Sequence, residues 1–159
     1  MERAVKRRRL GEILIEQGRL TREALEKSLE IQQREGGLIG EILVHHRFVR
    51  EEDVAVALAT QFNFPYLALE NFTINPQALQ AVPASLAVKY VFMPIDKINN
   101  ILTVVMADPT QEAALREIES VTRCRVQAFV GTLSEVRHAI QRYYRDTALR
   151  SGKDAESNP

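Results

Sequence analysis

Several features that define common functional classes are absent or scarce in this chain of 159 residues. It has one cysteine, Cys124, which cannot form an intramolecular disulfide or build a zinc site by itself. Lysine and arginine together number 21, as do aspartate and glutamate, so no overall charge favours nucleic acid or a membrane surface. No apolar run approaches the roughly 18 residues of a membrane-spanning helix. We therefore expect a soluble protein with no DNA partner, no transmembrane segment, no metal and no cofactor.

Catalytic motifs are also missing. No Gly-x-x-x-x-Gly-Lys-Ser/Thr phosphate loop occurs, and the glycine-rich stretch Gly36–Gly40 lacks the lysine. No Ser/His/Asp or Cys/His arrangement stands out, and Glu51, Glu52 and Asp53 fit the acidic first turn of a helix. We therefore expect no catalytic residues and no enzymatic activity.

The two ends of the chain differ from the rest in composition. Residues 1–8 form a basic arm, and positions 1 to 9 together carry a net charge of +4. Such a pattern is typical of a solvated terminus. Glu12 and Glu16 interrupt the apolar stretch that a signal peptide would need after this arm. Residues 147–159 are polar and charged, which predicts a disordered tail. We expect a cytoplasmic protein.

The strongest positive feature is a tandem repeat. Residues 9–32 and 38–61 are two copies of one 24-residue pattern, separated by five residues. Equivalent positions lie 29 residues apart, as the pair Gly11 and Gly40 illustrates. Such a repeat can place two equivalent half-sites side by side, which suits a ligand that is itself made of two equivalent halves.

Helical periodicity in each copy predicts a short helix followed by a longer one. In the first copy Gly18 marks a left-handed helix end and Thr21 a helix start. In the second copy Arg47 and Arg50 occupy these places, which weakens both signals. If Arg47 adopts the left-handed backbone conformation of Gly18, the strain costs roughly 1 kcal/mol. Otherwise the chain forms a different turn at this position. Four short helices with brief connections predict a compact bundle over 9–64.

A different pattern begins at Pro65 and predicts a second subdomain over 65–146. Asn75 and Pro76 predict the start of one helix, and Val82-Pro83 introduces another. The next predicted elements are strands at 90–95 and 101–106, joined across the turn signal Asn99-Asn100. They are followed by a helix at 111–121, a strand at 125–130 and a helix from the capping-box residue Thr132 to about Arg145. The order is ααββαβα with a small three-stranded sheet, so the predicted fold class is α+β with an N-terminal four-helix subdomain.

The repeated residues have two interpretations. Leucines at helical spacing are what the core of any small bundle requires, glycines permit close helix packing, and glutamines fit exposed or capping positions. Recurrence of the whole set at one register is not required by core packing. This recurrence favours a shared binding role.

The doubled Arg-Leu-Gly-x-x-Leu…Leu…Gln pattern resembles the N-terminal domain of type II secretion and type IV pilus assembly ATPases. More narrowly, it resembles the MshEN-type form of that domain, which binds cyclic di-GMP through two motifs of this length and spacing. The second region is similar to the same family's second subdomain at Pro94-Ile95, at 104–110 and at 140–144. The resemblance covers roughly residues 8–145 and does not include the ATPase domain.

This resemblance implies that both motifs contact cyclic di-GMP. The arginine offers a planar fork for guanine O6 and N7 or for a phosphate, aliphatic side chains contact guanine faces, and glycine lets the ligand approach the backbone. Position 38 departs from the pattern, because leucine stands where the first motif has arginine. The implied ligand-binding residues are Arg9, Leu10, Gly11, Leu14, Leu25, Leu29, Gln32, Ile39, Gly40, Leu43, Val54, Leu58 and Gln61.

The resemblance therefore implies a stand-alone cyclic di-GMP receptor or adaptor domain, with a fragment of a longer ATPase as the alternative. The other functional class is a nucleotide-independent interaction module that docks on a secretion or pilus platform protein or on an assembly ATPase. In both classes the implied protein partner is a secretion or pilus assembly ATPase or an inner-membrane platform protein, and such a partner would hold the protein at the periphery of the inner membrane. A titration with cyclic di-GMP distinguishes the two classes.

Overall fold

The computed structural model describes the backbone of residues 9–156 and the side chains of residues 9–144. This part of the chain divides into two compact units, and the division falls between Tyr66 and Leu67. The predicted basic arm at 1–8 lies outside the described residues, as do residues 157–159. Within the described residues, no helix combines the length and the apolar character needed to cross a membrane.

The first unit contains four helices, as the sequence predicts. They are α1 (Leu10–Glu16), α2 (Arg22–Glu35), α3 (Ile39–His45) and α4 (Glu51–Phe62). Helix α1 packs against α4, α2 packs against α3, and α3 also contacts α4. Each short helix is thus packed against the long helix of the other repeat, so the two repeats build one bundle together.

An apolar core shared by both repeats stabilises this bundle. Leu14 and Leu43 are completely enclosed in it, and the burial of one leucine side chain contributes about 1.5–3 kcal/mol. Leu25, Val54 and Leu58 are partly buried and pack against the same core. The buried members of the core are Leu10, Ile13, Leu14, Leu20, Leu43, Val49 and Ala57.

The second unit has the predicted ααββαβα order, preceded by a short 3-10 helix at Leu69–Asn71. The side-chain oxygen of Asn75 accepts a hydrogen bond from the Gln77 amide at 3.0 Å, and Pro76 occupies the first helical turn, as predicted. The elements of this unit are α5 (Pro76–Ala81), α6 (Ala84–Tyr90), β1 (Phe92–Ile98), β2 (Ile101–Met106), α7 (Glu112–Thr122), β3 (Arg125–Val130) and α8 (Leu133–Glu156).

The three strands form one mixed sheet in the order β1-β2-β3. Strands β1 and β2 are antiparallel and are joined by the predicted turn, in which Asn99 has a left-handed φ of 55°. Strands β2 and β3 are parallel, and α7 supplies the crossover that a parallel pair requires. The predicted three-stranded sheet is therefore confirmed.

Some predicted boundaries differ from the structure, and one of them is the end of β1, which lies at Ile98 and not at position 95. Helix α6 extends to Tyr90 and ends at Val91, which has a left-handed φ of 52°, so β1 begins at Phe92 and not at position 90. Helix α8 continues to Glu156, beyond the expected end at about Arg145 and through most of the segment that predicts a disordered tail. Residues 145–156 contain no proline and one glycine, so the sequence has no strong signal that stops a helix already formed.

Candidate ligand-binding site

The two repeats have the same backbone architecture. Helices α1 and α3 each contain seven residues, and α2 and α4 begin 29 positions apart, at Arg22 and Glu51. Burial agrees at the leucine in the middle of each short helix, because Leu14 and its equivalent Leu43 are both enclosed, whereas Leu10 is buried and its equivalent Ile39 is half-buried. The register found in the sequence is therefore also the register of the helices.

The turn after each short helix is also equivalent, although its residues differ. Gly18 and Arg47 both have a left-handed backbone, with φ of 71° and 60°. The Gly18 amide donates to the carbonyl of Ile15 at 3.0 Å, and the Arg47 amide donates to the carbonyl of Val44 at 3.0 Å. Arginine thus keeps the turn and does not re-route the chain, at a steric cost of roughly 1 kcal/mol.

Arg9 and Leu38 occupy equivalent positions immediately before α1 and α3. Both are extended, with φ and ψ of −69° and 149° at Arg9 and −84° and 136° at Leu38. Their carbonyls accept the first helical hydrogen bonds, at 3.2 and 3.1 Å. Both side chains are exposed, and Leu38 keeps 68% of its surface accessible. At this position the repeats differ in side-chain chemistry and not in backbone geometry.

Gly11 and Gly40 both lie against side chains of the bundle. A Cβ atom at position 11 would lie 2.6 Å from Cδ1 of Leu25, and one at position 40 would lie 3.3 Å from both Leu10 and Val54. Leu25 and Val54 are equivalent residues of the two motifs, so each glycine packs at the same place in its own repeat. These contacts favour close helix packing as the role of the glycines. The approach of Leu10 to Gly40 also brings the starts of the two motifs together.

The implied ligand-binding residues differ in their exposure. The buried ones are Leu10, Gly11, Leu14 and Leu43. The half-buried ones are Leu25, Gln32, Ile39, Gly40, Val54, Leu58 and Gln61. The exposed ones are Arg9 and Leu29, and Leu29 keeps 41% of its surface accessible. The accessible members come from both motifs. The role of every residue of this set as a ligand contact stays a prediction.

Gln32 fixes the connection between the two motifs. Its side-chain Nε2 donates a hydrogen bond to the carbonyl oxygen of Gly37 at 3.0 Å, immediately before Leu38. Leu29 lies one turn earlier on the same face of α2. Two exposed leucines therefore flank this hydrogen bond along the chain. Gln61 is the equivalent residue of α4 and is half-buried.

One polar cluster of the first unit contains none of the residues that the sequence predicts as ligand contacts. Asp53 is buried in the first turn of α4, and its carboxylate accepts a hydrogen bond from the Arg50 amide at 3.1 Å. The Arg19 guanidinium lies 3.6 Å from the same carboxylate, and the side-chain hydrogen bond to Asp53 raises the pKa of Arg50. These three residues and Arg47 line an open depression, and none of the implied ligand-binding residues is among its lining residues. The acid three residues after the helix start is the sequence signal for this cap.

Among the side chains of residues 9–144, no group of three or more His, Cys, Asp and Glu residues is placed to hold a metal ion. His45 and His46 are adjacent at the end of α3, with ring centroids 5.2 Å apart and nearly perpendicular planes. Cys124 is buried. The implied site therefore offers apolar surface, amide groups and the guanidinium of Arg9.

Comparison with known proteins identifies the family of this fold. A model of the MshEN domain matches residues 62–148, which is more than half of the chain. The type IV pilus assembly ATPase PilB of Myxococcus xanthus (strain DK1622) is 30% identical over 136 residues, which cover 86% of this chain and 24% of that protein. The chain thus spans about a quarter of the length of this relative.

Two solved structures resemble the protein over most of its length. The structure of MshE with cdg aligns with a TM-score of 0.73 at 24% identity, covering 87% of this chain and 100% of that chain. The structure of the N-terminal domain of XpsE aligns with a TM-score of 0.67 at 23% identity, covering 91% of this chain and 99% of that chain. At these identities the likeness establishes the fold alone. Taken with the family match over residues 62–148, it shows that the chain belongs to the MshEN domain family.

Proposed function

We propose that the first unit binds cyclic di-GMP as a single ligand contacted by both motifs. The observation that carries this proposal is the equivalence of the two repeats, because residues 29 positions apart share helix position and turn geometry, and the leucines Leu14 and Leu43 are both enclosed. Cyclic di-GMP consists of two equivalent halves, so a pair of equivalent half-sites matches its symmetry. Membership of the MshEN family and the likeness to the structure of MshE with cdg support the same ligand.

Each class of accessible residue has a role in the proposed site. Arg9 donates two parallel hydrogen bonds to O6 and N7 of one guanine, from an exposed position at the start of α1. Leu29 and its equivalent Leu58 supply apolar surface for the faces of the purine rings. Gln32 and Gln61 add amide groups, and Gln32 does so from a position fixed by its bond to Gly37.

Isothermal titration calorimetry of the full chain with cyclic di-GMP tests this proposal. Arg9→Ala should weaken binding by about 1–3 kcal/mol, because it removes a bidentate contact, and should leave the melting temperature unchanged. Arg22→Ala is the matched control, since it removes the same charge from an exposed residue outside the proposed site. The absence of heat and of competition at ligand concentrations on the order of tens of micromolar would contradict the proposal. Unchanged affinity in Arg9→Ala would contradict only the role of that residue.

The second candidate function is docking on a secretion or pilus assembly ATPase or on an inner-membrane platform protein, without nucleotide. The observation that favours it lies in the second unit, where Val88, Ile98, Ile101 and Val121 are large apolar side chains exposed to solvent. Apolar side chains of this kind are used at protein interfaces. Binding to a purified assembly ATPase that is independent of cyclic di-GMP and lost in Ile98→Asp would favour this function. The cytoplasmic location, and attachment to the inner membrane through such a partner, stay predictions.

A further inference from the structure

We propose that the second half of the cyclic di-GMP site does not select guanine, so that the protein also binds a cyclic dinucleotide with one guanine and one adenine. This inference rests on the proposed function and concerns the base preference of the same site. Its basis is the difference between Arg9 and Leu38, two residues with equivalent backbone geometry and different side chains.

The exposure of Leu38 points to contact with a ligand. At 68% it is the most exposed of the large apolar side chains in the described part of the chain, so it adds little to packing within the protein. Covering such a side chain with the face of a purine ring removes apolar surface from water, which is favourable. The equivalent Arg9 instead presents hydrogen-bond donors from the same backbone position.

The two side chains distinguish the purines differently. Guanine offers the acceptors O6 and N7, whereas adenine offers the acceptor N7 and the donor N6. A guanidinium has donors and no acceptor. If adenine takes the place of guanine at Arg9, its N6 donor faces an N–H of the guanidinium, and the hydrogen bond that guanine O6 would accept is lost. Leucine neither donates nor accepts, and both purines present it with a similar apolar face.

The amide of Gln32, which is bonded to the residue before Leu38, does not restore the selection. The Gln32 side chain, which is bonded to the carbonyl of Gly37, has a second N–H donor and a carbonyl acceptor. An amide of this kind pairs with the O6 acceptor of guanine or with the N6 donor of adenine. The half-site that begins with Leu38 therefore accepts either base, whereas the half-site that begins with Arg9 selects guanine.

The test compares three 3′,3′-linked ligands by calorimetry on the full chain: cyclic di-GMP, cyclic GMP–AMP and cyclic di-AMP. Cyclic GMP–AMP binds in one of its two orientations, which costs about a factor of two, so its affinity should lie within about threefold of that of cyclic di-GMP. Cyclic di-AMP must place an adenine at Arg9 and should bind about 5- to 150-fold more weakly.

Leu38→Arg sharpens this comparison, because it gives both halves a guanidinium at an exposed position where little packing is lost. Its affinity for cyclic di-GMP should rise, and cyclic GMP–AMP should become about 5- to 150-fold weaker than cyclic di-GMP. Val56→Arg is the matched control, since it adds the same charge on an exposed residue of α4 outside the site. It should keep the wild-type ratio of the two affinities.

The results that overturn this inference are distinct from failure of the proposed function. If cyclic di-GMP binds and cyclic GMP–AMP is more than about tenfold weaker, the half-site at Leu38 selects guanine after all. If cyclic di-AMP binds as tightly as cyclic di-GMP, Arg9 does not read the base and the two halves do not differ in this way. If none of the three ligands binds, the proposed function fails and the inference fails with it.

Discussion

The repeats at 9–32 and 38–61 share a backbone but not a surface. Their enclosed leucines, Leu14 and Leu43, are equivalent. Their left-handed turns have the same hydrogen-bond pattern, although one turn uses glycine and the other arginine. Their exposed first residues, Arg9 and Leu38, have unrelated chemistry. Core packing and turn geometry thus fix the register of both copies, whereas the exposed positions can change what each half binds.

The starts of the two long helices show the same principle. In the first repeat the Thr21 hydroxyl accepts a hydrogen bond from the Ala24 amide at 3.2 Å. In the second repeat the Asp53 carboxylate accepts one from the Arg50 amide at 3.1 Å. Both arrangements satisfy an amide that a helix start would otherwise leave unpaired. Equivalent geometry is therefore maintained by different atoms.

The largest effect should come from truncating the enclosed leucine of either repeat. Leu14→Ala and Leu43→Ala should each lower the free energy of unfolding by about 2–5 kcal/mol, because each removes a buried side chain and leaves a cavity. Urea denaturation measures the free energy of unfolding of each variant, and the m-values should stay unchanged. If the repeats contribute equally to one core, the two values agree. A difference above roughly 1.5 kcal/mol would break the structural equivalence of the repeats.

A smaller effect should distinguish the two helix glycines. Gly11→Ala should leave the protein about 1 kcal/mol less stable than Gly40→Ala, because the new Cβ at position 11 would lie 2.6 Å from Leu25. Gly40→Ala should be nearly neutral, because its contacts at 3.3 Å are looser and alanine favours the helix. In a double-mutant cycle, Leu25→Ala should abolish the cost of Gly11→Ala. A greater loss of stability in Gly40→Ala than in Gly11→Ala would reverse this ranking and disprove the packing argument.

The smallest effect is expected at the turn. Arg47→Gly relieves roughly 1 kcal/mol of backbone strain, offset in part by the freedom of glycine in the unfolded chain, so the melting temperature changes little or rises. Affinity for cyclic di-GMP should hold, because Arg47 lines a depression apart from the implied ligand-binding residues. The matched variant Gly18→Ala should destabilise by about 1 kcal/mol, since its φ is 71° and no atom lies within 4 Å of the new Cβ. A loss of affinity of about tenfold in Arg47→Gly at unchanged melting temperature would instead assign Arg47 to the ligand.

The fold is predictable where several local signals agree. Asn75 and Pro76 together mark the start of α5, and Asn99 marks the turn between β1 and β2. The end of α8 is not predictable in this way. The polar composition of residues 145–156 suggests disorder, yet this segment contains no proline that would stop a helix. Helix propensity alone does not decide between a helix and a disordered segment here.

For the candidate site, the sequence names a set of residues but does not give the exposure of each side chain. Leu14 and Leu29 are both leucines at helical spacing, yet one is enclosed and the other is 41% exposed. Which face of a helix is covered depends on the helix that packs against it, and the packing of α1 on α4 and of α2 on α3 is a tertiary property. The contact of Gly11 with Leu25 is likewise a contact between helices that periodicity does not give.

The decisive measurement is a calorimetric titration of the full chain with cyclic di-GMP, because the family match at 62–148 lies mostly in the second unit and the proposed site lies in the first. If both repeats contact one ligand, the titration gives one cyclic di-GMP per chain, and binding is weakened both by Arg9→Ala in the first motif and by Leu58→Ala in the second. Two ligands per chain, binding that is insensitive to the second motif, or no binding would contradict the shared site.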